Sequence, residues 1–148
     1  MKTLTPFAIA CLLVFSACGD DDAGGGSTAT STVAVGVTGT LSMSGGLEGR
    51  EETWVLEADG TVLGPDGYVG TVSAADRARL AAAVEAAGFF DLDAEYLPED
   101  QCCDRFVYVV TITQGAVTHT VTTIDAAEAP ESLFVLIGTF LDLVRPSY

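Results

Sequence analysis

Residues 105–124 constrain the fold of this chain more than any other stretch. Along Arg105-Phe106-Val107-Tyr108-Val109-Val110-Thr111-Ile112-Thr113 the large apolar side chains Phe106, Tyr108, Val110 and Ile112 recur at every second position. Successive residues of a strand point to opposite faces, so these four share one side, and Val107, Val109, Thr111 and Thr113 share the other. Gln114-Gly115 then turns the chain into Val117 to Ile124, a second Thr/Val-rich run that should pair antiparallel with the first. Thr118, Thr120 and Thr122 are expected on its solvent face.

The flanking segments supply the rest of a sheet and its cover. Thr32 to Met43 alternates small and β-branched residues, interrupted by Gly36 and Gly39. After the Gly-rich corner Ser44-Gly45-Gly46-Leu47-Glu48-Gly49, a second strand runs over residues 51–57 with Trp54 and Leu56 on one face. Asp59-Gly60 is a hairpin signal because both residues tolerate positive φ, and Thr61-Val62-Leu63 returns. Asp66-Gly67 marks another turn before Tyr68 to Val72.

Ser73 and Asp76 form an acidic variant of a capping box opening a helix that carries Leu80, Ala83, Val84 and Ala87 on one face and stops at Gly88, with Phe89 and Phe90 packed beneath. Residues 91–104 read as an acidic loop. Pro130 starts a terminal helix with Leu133, Leu136, Ile137, Phe140, Leu141 and Val144 on its apolar face. The order β-β-β-α-β-β-α predicts an α+β domain, an antiparallel sheet of four to five strands with two helices packed on one face.

The first 32 residues are of another kind. Lys2, a short apolar segment from Phe7 to Phe15, and small residues Ser16 and Ala17 before Cys18 read as a bacterial lipoprotein signal over residues 1–17. Roughly 20 apolar residues are needed to span a bilayer, which this segment lacks. Cleavage before Cys18 and lipidation of its thiol are expected. Residues 18–32 hold Gly, Asp, Ser, Thr and Ala and no large apolar side chain, so they read as a flexible tether reaching some 20 Å from the lipid. The expected location is the cell envelope, lipid-anchored, with the outer membrane preferred because Gly19 rather than Asp follows the cysteine. Residues 33–148 are expected to form one domain.

Composition and residue chemistry exclude several functions. The net charge is −15, and past Lys2 the only fixed cations are Arg50, Arg77, Arg79, Arg105 and Arg145, a balance that repels nucleic acid and anionic head groups. Cys11 leaves with the signal and Cys18 is acylated, so Cys102 and Cys103 are left to pair with each other, to pair between molecules, or to stay free. His119 is the only histidine; it lies among threonines, reads as a sheet-surface residue and belongs to no nucleophile–base arrangement. Asp91, Asp93 and Glu95 alternate like early calcium ligands, but Tyr96 stands at the sixth position and Cys102 at the twelfth. No phosphate-binding loop occurs, and no metal, no cofactor and no enzymatic activity are expected.

Three segments together carry a family resemblance. The corner Ser44 to Gly49, the strand start Asp104-x-Phe106-x-Tyr108, and the closing Val121-x-x-x-Asp125 with Pro130-x-x-Leu133 resemble the emfourin-like family, small inhibitors of thermolysin-like metallopeptidases, and related lipoprotein domains of unassigned function. The resemblance spans about residues 33–145. Two features depart from it: Glu48 stands where family members tend to have a small residue, and the lipid tether and Asp59-Gly60 hairpin are additions to the compact inhibitor pattern.

The resemblance implies a protein-binding lipoprotein whose partner is a secreted or envelope metallopeptidase. The corner Ser44, Gly45, Gly46, Leu47, Glu48 and Gly49 would enter the peptidase cleft, Leu47 filling the specificity pocket and Glu48 or a loop carbonyl approaching the zinc. The alternative is a structural or generic ligand-binding envelope lipoprotein, with loop 91–104 engaging cell-wall material or a cationic ligand.

Overall fold

A computed structural model describes residues 36–145. The expected signal, Cys18 and the tether lie outside the described residues. Ten elements follow in order: β1 (Val37–Gly45), β2 (Arg50–Leu56), β3 (Thr61–Gly64), β4 (Gly67–Thr71), α1 (Ala74–Ala86), a 3₁₀ turn (Phe89–Asp91), β5 (Glu95–Tyr96), β6 (Phe106–Gln114), β7 (Val117–Ile124) and α2 (Glu131–Val144).

The class is α+β, as the order of elements predicts, but the sheet is larger and mixed. Seven strands lie in the order β4-β3-β2-β1-β6-β7-β5, and β5 runs parallel to β7 while every other neighbour is antiparallel. The expected four to five antiparallel strands are corrected at both edges. β4 pairs with β3 through a register shift between Val62 and Leu63, which a simple alternation does not foresee. β5 emerges from the supposed acidic loop: only Glu95 and Tyr96 pair, opposite Thr122 and Thr123. Two residues are too few to show a period.

The sheet's inward residues and both helices share one core. Leu41, Trp54, Leu56, Val110, Ile112 and Val121 cluster with Leu80 and Val84 of α1 and with Leu133, Leu136, Ile137 and Phe140 of α2. Burying each such side chain contributes about 1.5–3 kcal/mol, so the apolar face of α2 is a main source of stability. Gly39 is the close-approach point. It pairs with Ile112 and Leu56, and a Cβ there would stand 2.8 Å from Ile112 Cδ1, 2.9 Å from the Thr111 carbonyl and 3.0 Å from Phe140.

Local sequence accounts for the helix ends. The Ser73 hydroxyl accepts from the Asp76 N–H at 3.1 Å and donates to the Asp76 carboxylate at 2.7 Å, capping α1. Gly88 takes φ +57° after α1, where a left-handed residue ends the helix and lets Phe89 turn into the core. Pro130 stands at the N-cap of α2.

His119 is corrected from its expected place on the outer surface. Strand alternation puts Val117, His119, Val121 and Thr123 on the helix side once Thr118, Thr120 and Thr122 face out. There the His119 ring meets Phe89 edge-on at 5.5 Å, and Nε2 donates to the Leu92 carbonyl at 3.0 Å, fastening the segment after α1.

Candidate functional site

The β1–β2 hairpin ends in a turn over residues 46–49 that sequence alone singles out. Gly45, Gly46 and Gly49 all have positive φ, at 117°, 70° and 61°, which glycine adopts without the penalty a Cβ would bring. Gly49 N–H donates to the Gly46 carbonyl at 3.0 Å, closing the turn. Leu47 stands at the tip with 87% of its surface exposed. Glu48 is ion-paired with Arg50 at 3.3 Å, an exposed contact worth little by itself.

The turn rests on the start of β6. Gly46 N–H donates to the Arg105 carbonyl at 3.1 Å, and a Cβ on Gly46 would lie 2.7 Å from the Phe106 ring. A Cβ on Gly45 would collide with the Arg105 carbonyl. Together Gly45, Gly46, Leu47, Glu48, Arg50, Asp104 and Phe106 line an open groove of about 390 Å³. Ser44 pairs with Glu51 at the foot of the hairpin and points to the opposite, outward side.

Asp125 fixes this floor from behind. Its carboxylate accepts from the Phe106 N–H at 2.9 Å and from the Tyr108 hydroxyl at 3.1 Å, while its own N–H donates to the Phe106 carbonyl at 3.0 Å. Burial first, then the Asp125 charge and the hydrogen bond to it, push the Tyr108 phenol up to about 12, with Arg145 opposing. Tyr108 therefore stays a donor at any physiological pH. The sequence segments 44–49, Asp104-x-Phe106-x-Tyr108 and Asp125 thus converge at one end of the sheet. Pro130 and Leu133 do not; they serve the start and buried face of α2.

Next to that floor is a cluster that sequence reasoning missed. Arg145 donates to Glu52 at 3.1 Å and to Met43 Sδ at 3.4 Å, and its guanidinium lies 4.9 Å from the centre of the Trp54 ring. Arg145 and Glu52 are 93 residues apart, so no local spacing signals the pair.

The acidic segment behaves differently from the hairpin. Cys102 and Cys103 are exposed and joined to each other, and Cys103 and Asp104 follow at φ 72° and 55°. Asp91, Asp93 and Glu95 are exposed, and among the described residues no three His, Cys, Asp or Glu side chains converge to hold a metal ion. Tyr96 ties the segment locally, its hydroxyl accepting from the Asp93 N–H at 3.1 Å.

The sequence model of the Emfourin family matches residues 68–141. That stretch runs from β4 into α2 and takes in Asp104, Phe106, Tyr108 and Asp125, while the 44–49 turn precedes it. No curated protein matches the chain significantly.

Proposed function

Because the chain belongs to the Emfourin family, we propose that it binds a metallopeptidase and inhibits it, with the 44–49 turn as the element that enters the cleft. The observation that carries this reading is Leu47, a large apolar side chain almost fully exposed at the tip of a turn whose backbone is held at both ends. An exposed leucine on a mobile loop would lose its affinity to the entropy of ordering; one on a preorganised turn does not.

The mechanism follows from the backing. Leu47 fills the apolar specificity pocket of a thermolysin-like enzyme, and Glu48 or a turn carbonyl approaches the zinc. The Gly45–Arg50 register and the Gly46–Arg105 bond hold both sides of the turn in place. A peptide cut at such a turn keeps its new ends together, which favours resealing over release and makes the protein an inhibitor rather than a substrate.

The anchor completes the proposal. Acylation of Cys18 holds the acidic domain at the envelope surface, preferably the outer membrane, where the partner is a secreted or envelope peptidase. Cys18→Ser is expected to abolish lipid labelling and move the protein to the soluble fraction; a variant that stays acylated and membrane-bound contradicts the anchor. For the inhibitory reading, the purified protein is titrated into a panel of thermolysin-like peptidases acting on a peptide substrate. Loss of activity at near-equimolar protein is expected. A panel left fully active, with cell-wall material captured instead of a peptidase, favours the generic binding lipoprotein.

A further inference from the structure

The face of the sheet turned away from the helices is almost free of charge. One cross-strand row, Tyr68, Leu63, Val55, Thr40, Thr111 and Thr120, passes through six neighbouring strands without a carboxylate, ammonium or guanidinium group. Among the outward residues of the sheet the acids are two, Glu51 at the hairpin end and Glu95 beside Thr122 on the β5 edge. An uncovered face of a sheet normally carries charge, both for solubility and against unwanted association. In a chain of net charge −15 the acids have been placed elsewhere.

The polar groups on this face are partly satisfied within it. The hydroxyls of Thr111 and Thr120 pair at 2.9 Å, those of Thr113 and Thr118 at 2.8 Å, and those of Ser42 and Thr53 at 2.9 Å. Each pair uses one donor and one acceptor laterally, which lowers the desolvation cost of covering the face with a dry partner. A saccharide would need those same donors and acceptors free.

We propose that this face docks on a second copy of the chain, sheet against sheet, about a two-fold axis. Two strongly acidic molecules repel over most of their surfaces, and on this face carboxylates stand only at the rim, at Glu51 and Glu95, leaving the central rows free of them. With strands about 4.8 Å apart and about 3.3 Å per residue, the six strands, of four to nine residues each, present roughly 600 Å² per copy. Two copies bury about 1,200 Å², above the roughly 1,000 Å² expected of a specific interface. Sheets pack in this manner at about 10 Å separation with side chains interdigitated, and β-branched Thr and Val suit such a layer. The 46–49 turn lies at the strand ends, so this interface is independent of the peptidase reading.

Light scattering of the full-length protein in non-ionic detergent, with detergent mass subtracted, tests the inference. At tens of micromolar the wild type is expected to read as two chains. Thr111→Lys and Thr120→Lys put a cation at the centre of each apposed face and are expected to weaken self-association at least tenfold, although each lowers the net negative charge and so reduces general repulsion. Val135→Lys, at an exposed position of α2 on the other side, should leave the dimer intact. Circular dichroism confirms that each variant is folded. A wild type that reads as one chain at 100 µM on the order of the concentrations used for weak dimers, or lysine variants as dimeric as the wild type, overturns the inference. A monomeric wild type whose lysine variants lose peptidase binding instead also overturns it, and assigns the face to the peptidase.

Discussion

The N–H of Gly46 donates to the carbonyl of Arg105 at 3.1 Å, tying the tip of the β1–β2 hairpin to the start of β6. The bond requires Gly46 at φ +70° with the Phe106 ring against its α-carbon. Gly46→Ala adds both backbone strain and overlap and is expected to cost about 1–3 kcal/mol. Gly49, at φ +61° with open space around it, gives the control: Gly49→Ala meets the strain without the overlap and should cost less. Urea midpoints measure both, and equal losses would show that Phe106 does not hold the turn.

Tyr108 carries a pH dependence. Its phenol keeps a proton up to about 12 in the folded protein, against an ordinary value of 10.0. Between those values the folded state binds more protons than the unfolded one, so this contribution to stability is complete below pH 10 and is lost as pH rises toward 12. Ultraviolet titration should show one tyrosine ionising late, a step that Tyr108→Phe removes and Asp125→Asn moves down. A Tyr108 that ionises at the ordinary 10.0 would contradict the part-buried Asp125–Tyr108 pair.

Arg145 is expected to contribute through its contact with Trp54 as well as its ion pair with Glu52. Arg145→Lys keeps an ion pair with Glu52 but gives up the guanidinium contact over the Trp54 ring, a loss of about 0.5–1 kcal/mol. Trp54 is the only tryptophan, so its fluorescence reports the change directly. Unchanged emission and thermal midpoint would mean that the guanidinium leaves Trp54 in solution.

Gly39 tests the helix–sheet packing. Gly39→Ala forces Ile112, Phe140 or the Thr111 carbonyl to move, and the expected cost is about 1–3 kcal/mol by thermal unfolding. A neutral effect would place α2 farther from β1.

Much of this fold is legible in the chain because its signals are local. The alternation from Phe106 to Thr113, the Ser73–Asp76 cap and Pro130 each state a structure within a few residues, and each element forms there. β5 was illegible since a two-residue bridge has no period, and β4 since its pairing shifts register. His119 was legible and misread: the alternation that puts Thr118 and Thr120 outward puts His119 inward against Phe89. At the candidate site the glycines of the turn announce themselves. What holds it does not, because Asp125 reaches Phe106 and Arg145 reaches Glu52 only after the sheet and α2 are assembled.

The central claim is that Leu47 is the anchor of peptidase binding, and the most direct test compares inhibition constants of wild type and Leu47→Ala against one thermolysin-like peptidase that the wild type inhibits. Truncating an apolar anchor at an interface centre costs about 2 kcal/mol, close to thirtyfold in affinity. Leu47 is 87% exposed in the free protein, so its removal should leave the thermal midpoint unchanged. A thirtyfold weaker inhibition at unchanged stability is the expected result. A Leu47→Ala protein that inhibits as well as wild type contradicts the account.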